Sequence, residues 1–127
     1  MQDQLNAVAA FHKAFGVGIA QTPTTNITTD IANLRHRLMA EENEEYLEAV
    51  TNNDLVEVAD ALGDMLYILC GTILTHGMQH VIEAVFSEIQ DSNMSKLGAD
   101  GKPICREDGK VMKGPNYRRP DLKQFVD

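Results

Sequence analysis

One stretch limits the fold more than any other. From Leu55 to Leu74 the only charged residues are Glu57, Asp60 and Asp64. Asp54 before it and Gly77 after it are start and stop signals, which predict a helix from Leu55 to about His76. The spacing of three, then four, stacks the acids on one stripe. The opposite stripe is Leu55, Leu62, Leu66, Leu69 and Ile73, while Tyr67, Ile68 and Gly71 continue the acidic side. A helix apolar around most of its circumference belongs at the centre of a bundle, so its acids are expected to face protein rather than bulk water.

The preceding helix repeats the anomaly. Thr29 or Asp30 caps it and it runs to about Val50. With Ile31 set at zero and about 100° per residue, Leu34, Leu38 and Ala49 fall within about 60° of it and define the buried face. Glu42 and Glu45 fall within about 40° of that centre, Glu41 lies at its edge, and Glu44 and Glu48 turn toward solvent.

Two more helices complete the set. Asp3 to about Phe15 has Leu5, Val8, Ala9, Phe11 and Phe15 at mostly helical spacing, ended by Gly16 and Gly18. A fourth runs from about Gln79 to Asp91, and Asn52-Asn53 separates the second from the third. Short turns between four helices predict an all-α, antiparallel four-helix bundle. At 127 residues the chain is one domain, 1–127, with the bundle in 1–93 and a tail in 94–127. In the tail, Lys102 to Arg106 and Lys110 to Lys113 flank Glu107-Asp108-Gly109, a hairpin signal. Pro103, Pro115 and Pro120 forbid a continued helix there, so a basic loop or short hairpin is expected.

Several carboxylates facing one another in a low-dielectric interior must either take up protons or collect cations. Oxygen donors without nearby Cys or His favour Mg²⁺ or Mn²⁺ over zinc, and no calcium loop or Glu-x-x-His pair is present. The alternative is a solvated acidic face neutralised by Arg35, Arg37 and lysines of the tail.

Charge sharpens the division. The net charge is −8, yet residues 1–93 hold 3 basic and 14 acidic residues and residues 94–127 hold 8 basic and 5 acidic. The acidic body argues against a nucleic-acid partner. No apolar run reaches roughly 18 residues and the N-terminus has no leader pattern, so no membrane association is expected. Cys70 and Cys105 form no C-x-x-C motif, and a reduced, soluble, cytoplasmic protein is the simplest expectation. No Gly-rich phosphate loop, nucleophile elbow or Cys-His pair appears, which argues against nucleophilic catalysis by a side chain.

The pattern Glu41-Glu42-x-x-Glu45, followed after 11 residues by Glu57-x-x-Asp60, resembles the all-α nucleoside triphosphate pyrophosphatases. The likeness is closest to the MazG-like, dimeric dUTPase-type branch. It is carried by Phe11-His12-Lys13-Ala14-Phe15-Gly16, Asp60-Ala61-Leu62-Gly63-Asp64, Ser92-Asn93-Met94-Ser95-Lys96-Leu97 and Lys113-Gly114-Pro115-Asn116-Tyr117. The resemblance implies a hydrolase that cuts a (deoxy)nucleoside triphosphate to the monophosphate and pyrophosphate, with two or three Mg²⁺ or Mn²⁺ ions per site. It makes Glu42, Glu45, Glu57 and Asp60 metal ligands, and Glu41 a further ligand or the group that orients the attacking water; Asp64 lies outside the shared motif. It also implies a homodimer or homotetramer. On that reading Lys96, with Lys110 or Lys113, neutralises phosphate oxygens, and Asn93 and Tyr117 donate hydrogen bonds. His12 either approaches the base or sugar or is an ordinary histidine of the first helix. Base preference (dUTP, dCTP or a purine such as dGTP) is open. A catalytically silent nucleotide- or metal-binding bundle is the rival reading.

Overall fold

The computed structural model describes residues 1–127 and is built from helices. These are α1 (Gln2–Phe15), α2 (Thr29–Thr51), α3 (Leu55–Thr75), α4 (Ile82–Met94) and the single-turn α5 (Lys123–Val126). The chain divides into two compact units, Met1–His80 and Val81–Asp127.

In the first unit α3 packs against both α2 and α1. The α2–α3 turn is tight. Asn53 takes the left-handed conformation at φ 54°, which asparagine tolerates, and Asp54 Oδ1 accepts the Glu57 N–H at 3.1 Å to cap α3. The cap of α2 is Thr28, one residue before the expected pair, because its Oγ1 accepts the Ile31 N–H at 3.2 Å. α1 ends as expected at Gly16, φ 72°, whose N–H returns to His12 O.

The α1–α2 loop is tied to the far end of α3. Ala20 N–H donates to Leu74 O at 3.0 Å and Thr24 N–H to His76 O at 2.9 Å. The Gln79 amide donates to Ala20 O at 2.7 Å and Gln79 is buried. That tether explains why α4 begins at Ile82 rather than at Gln79. Gly77, at φ 68°, passes so close to Thr22 that a Cβ would overlap its carbonyl.

The buried apolar set of the first unit is small: Leu5, Val8, Ala49, Ala61, Cys70, Ile73 and Leu74. The apolar stripes of α2 and α3 both depart from expectation: on α2 only Ala49 is buried, Leu38 is half-buried, and Ile31 and Leu34 are exposed. On α3 Ile73 is buried, but Leu55, Leu62, Leu66 and Leu69 are 80%, 51%, 44% and 40% exposed. With α1 and α2 as its partners, α3 is covered on one side and bare along its leucines. By length and composition alone this 21-residue helix could cross a membrane. Core helices of globular proteins share that property, and α3 carries three carboxylates.

The second unit consists of α4 and the tail. The expected hairpin shrinks to a single antiparallel bridge between Cys105 and Val111, flanked by Met112 N–H to Ile104 O at 2.7 Å and Arg106 N–H to Lys110 O at 2.8 Å. Gly109 at φ 86° turns the chain. Arg118 pairs with Glu88 on α4, and the same carboxylate accepts the Asp121 N–H at 3.0 Å. Ser95 Oγ accepts the Arg118 N–H at 2.8 Å. These contacts group α4 with the tail, so the compact units divide at His80 and the first holds three helices rather than four.

Candidate functional site

The acids of α2 and α3 share the seam between the two helices, but against expectation only Glu42 is withdrawn from solvent: Glu45, Glu57, Asp60 and Asp64 are exposed, because the seam is open on the side where neither helix has a further neighbour. Glu42 is half-buried, and its Oε2 is shut off from solvent with no hydrogen-bond partner. Burial, then a hydrogen-bonding contact with the Glu45 carboxylate and the charges of Glu45, Asp64 and Asp60, push its pKa up to about 7. Glu42, Glu45, Glu57, Asp60 and Asp64 form no salt bridge. Arg37 does pair with Glu41, at 4.0 Å on the exposed side of α2. Arg35 turns inward instead, its Nε donating to Thr72 Oγ1 at 3.1 Å and its Nη2 to Ile68 O at 3.0 Å. Neutralisation by local arginines therefore reaches Glu41 and stops there.

Beside Glu42, a cavity of about 430 Å³ is lined by Glu45, Glu48, Asn52, Asp54, Glu57 and Asp60. No three acidic, imidazole or thiol groups close on one point. The carboxylates form walls rather than a finished cage. Their chemistry still fits hard divalent cations: the donors are all oxygen, and a shielded carboxylate oxygen lacks any partner.

Glu48 and Asp54 were not expected at this site. Glu48 points away from the apolar face by helical phase, and Asp54 reads as a cap. Both enter because the Asn52–Asp54 turn folds the ends of α2 and α3 around the cavity. Asn52-Asn53 was the available signal, since it fixed a turn beside the acids.

His12 is buried, 2% exposed, with its Nδ1–H donating to Gly18 O at 3.2 Å. Burial and then Arg35 hold its pKa below the usual histidine value, against the opposing pull of the Gly18 carbonyl. A Cβ on Gly71 would lie 2.6 Å from Arg35 Nη2 and 3.0 Å from His12 Nε2, so the absence of a side chain there leaves room for both groups to cross α3. A second cavity of about 370 Å³ lies over this cluster, with Val17, Ile19, Ile31 and Leu34 among its apolar walls and Arg35 as its cation. His12 does not line it. Phe15, 70% exposed, stacks at 4.4 Å between ring centres on Phe11, which meets Tyr67 edge-on.

The remaining expected residues lie in the second unit. Asn93, Lys110 and Lys113 are exposed, and Lys96 and Tyr117 are half-buried. The Lys113 ammonium sits 4.7 Å from the centre of the Tyr117 ring.

Residues 8–93 match the phosphoribosyl-ATP pyrophosphohydrolase family, a span that holds every acid of the α2–α3 seam and leaves the tail outside. Among curated proteins, none matches the sequence significantly.

Proposed function

Because the chain belongs to the phosphoribosyl-ATP pyrophosphohydrolase family, and so to the all-α, MazG-like pyrophosphohydrolases, we propose that it hydrolyses (deoxy)nucleoside triphosphates to the monophosphate and pyrophosphate with Mg²⁺ or Mn²⁺. The observation that carries this is the partnerless Glu42 oxygen among Glu45, Asp60 and Asp64. Folding has gathered carboxylates that repel one another and that no cation of the first unit neutralises. Such an arrangement is stabilised by the ion it binds.

In this reading Glu42, Glu45, Glu57 and Asp60 hold two or three ions, with Asp64 at the border of the set. When bound, the ions remove the repulsion between carboxylates and triphosphate and polarise the phosphoryl oxygens. Glu41 stays at the solvent edge and orients the attacking water by accepting its hydrogen. Lys96, Lys110 and Lys113 neutralise phosphate oxygens, and Asn93 and Tyr117 donate hydrogen bonds to them. His12, being buried, acts on the substrate indirectly by fixing Gly18 in the α1–α2 loop. The apolar cavity beside Arg35 has room for the nucleoside. The bare Leu55, Leu62, Leu66 and Leu69 are covered by a second copy of the chain, making a dimer or tetramer.

The family match favours one further substrate, phosphoribosyl-ATP. A product assay separates the two readings. Each common dNTP and NTP, dUTP and phosphoribosyl-ATP are incubated with Mg²⁺ or Mn²⁺, and nucleotides and pyrophosphate are quantified. Turnover of one or two simple triphosphates supports the first reading, and turnover of phosphoribosyl-ATP alone supports the second. No pyrophosphate from any of them contradicts both.

A further inference from the structure

The eight basic residues of the tail differ in what they touch. Arg106 pairs with Asp108, Arg118 with Glu88 and Lys123 with Asp127. Lys96, Lys102, Lys110, Lys113 and Arg119 have no acidic partner. Two of these five leave from backbone segments that cross. Gly114 lies against the carbonyls that follow α4: a Cβ there would stand 2.7 Å from Lys96 O and would overlap Leu97 O. Only glycine permits that approach. Lys113 is the preceding residue, its Cα about 3.8 Å from that of Gly114. The crossing therefore brings the backbone segments that carry Lys96 and Lys113 together.

Both flanks of the crossing are held. On one, the Lys113 ammonium rests over the Tyr117 ring, a contact that restrains the cation without neutralising it. On the other, Ser95 Oγ donates to Ser92 O at 2.6 Å while accepting the Arg118 N–H at 2.8 Å. Glu88 holds both the Arg118 guanidinium and the Asp121 N–H. Ser95 is thus occupied in seating the tail, while Lys96 has no acidic partner.

We infer that Gly114 is a positioning residue that joins Lys96 and Lys113 into one two-lysine grip for a diphosphate group, such as the pyrophosphate end of the substrate. The inference rests on the reading of the tail as phosphate-binding. Ser95 and Glu88 serve the same grip by fixing the segment that follows Gly114.

The test is calorimetric titration of inorganic pyrophosphate into the full chain in the presence of EDTA, so that cations of the protein alone bind it. Lys96→Ala and Lys113→Ala should each weaken binding about tenfold, the scale of one charge-assisted hydrogen bond. Gly114→Ala should match them, and Gly114→Ala combined with Lys113→Ala should be no weaker than Lys113→Ala alone, because both changes disable one grip. Lys102→Ala, which removes an equally unpaired charge, should leave binding unchanged. Wild-type affinity in Gly114→Ala, or a loss additive with Lys113→Ala, overturns the inference. So does an absence of pyrophosphate binding by the wild type, or an equal loss in Lys102→Ala. If Gly114→Ala fails to fold by circular dichroism, Ser95→Ala carries the test: it should weaken binding severalfold, and unchanged affinity overturns the positioning role. Mg²⁺-dependent hydrolysis on the same wild-type preparation reports separately on the proposed activity. Turnover without metal-free pyrophosphate binding removes the grip alone, and binding without turnover removes the activity alone.

Discussion

In the α2–α3 seam, Glu42, Glu45, Asp60 and Asp64 confront one another with no cation among them, and Arg35 gives its donors to Thr72 and Ile68 instead. In the second unit Arg106, Arg118 and Lys123 are paired, while Lys96 and Lys113 stand unpaired on either side of a glycine crossing. The first unit leaves its acids unsatisfied as a group. The second uses some charges to fix the chain and holds the others in reserve. Charges paired within the fold do structural work; the clustered ones without partners, the acids of the seam and Lys96 with Lys113, mark where a ligand of opposite sign is expected, cations in one unit and phosphates in the other.

The largest effects should come from the acids. Glu42→Gln or Asp60→Asn should lower Mg²⁺-dependent turnover by about 100- to 1,000-fold, the scale for losing one group that stabilises transition-state charge. The far-ultraviolet circular dichroism should persist. Without metal, Glu42→Gln should also melt about 2–5 °C higher at pH 8, since it removes an ionised carboxylate that folding forces among others. A lower melting point would mean that Glu42 supports the fold and would erase the contrast with the tail.

Next in size is the tail. Lys113→Ala should raise KM for the triphosphate about tenfold with kcat nearly unchanged, as expected for a contact made equally in ground and transition states. Steady-state kinetics at fixed free Mg²⁺ measure it, and a change in kcat alone would move Lys113 from binding to chemistry.

Assembly comes third. Leu62→Glu together with Leu66→Glu places two charges on the bare α3 stripe. Sedimentation should show the oligomer falling to monomer, whereas an unchanged mass would leave those leucines open in solution.

The smallest effect concerns His12. Burial and Arg35 depress its pKa, so the folded chain favours neutral imidazole and the unfolded chain takes up a proton nearer pH 6.5. The stability it contributes is complete above about pH 6.5 and is lost as pH falls below that value. Between pH 7.5 and 5.5 the wild type should lose about 2–4 °C more in melting temperature than His12→Gln. Equal losses would remove His12 as the cause.

What the sequence made legible follows from helical periodicity. A 3.6-residue period puts Glu42, Glu45, Glu57 and Asp60 on facing stripes but overstates their burial, since only Glu42 is shielded and the other three are exposed; Asp54 is readable as a cap, which needs only its own turn. Glu48 escaped, since its entry into the cavity depends on how the Asn52–Asp54 turn closes two helices. Gln79 looked helical and is instead a tether to Ala20, a contact 59 residues away in the chain. The staples of the tail were equally hidden: Glu88 and Arg118 are 30 residues apart, and neither composition nor period joins them. The bare leucines of α3 could not be foreseen from one helix, because burial depends on what else packs against it.

The most direct test of the central claim is a calorimetric titration of Mn²⁺ into the wild type, Asp60→Asn and Glu42→Gln at pH 7.5, without nucleotide. If the partnerless acids of the seam hold the metal, the wild type binds two or three ions and each variant loses at least one site or about tenfold or more in affinity. Identical isotherms for all three proteins would contradict the account.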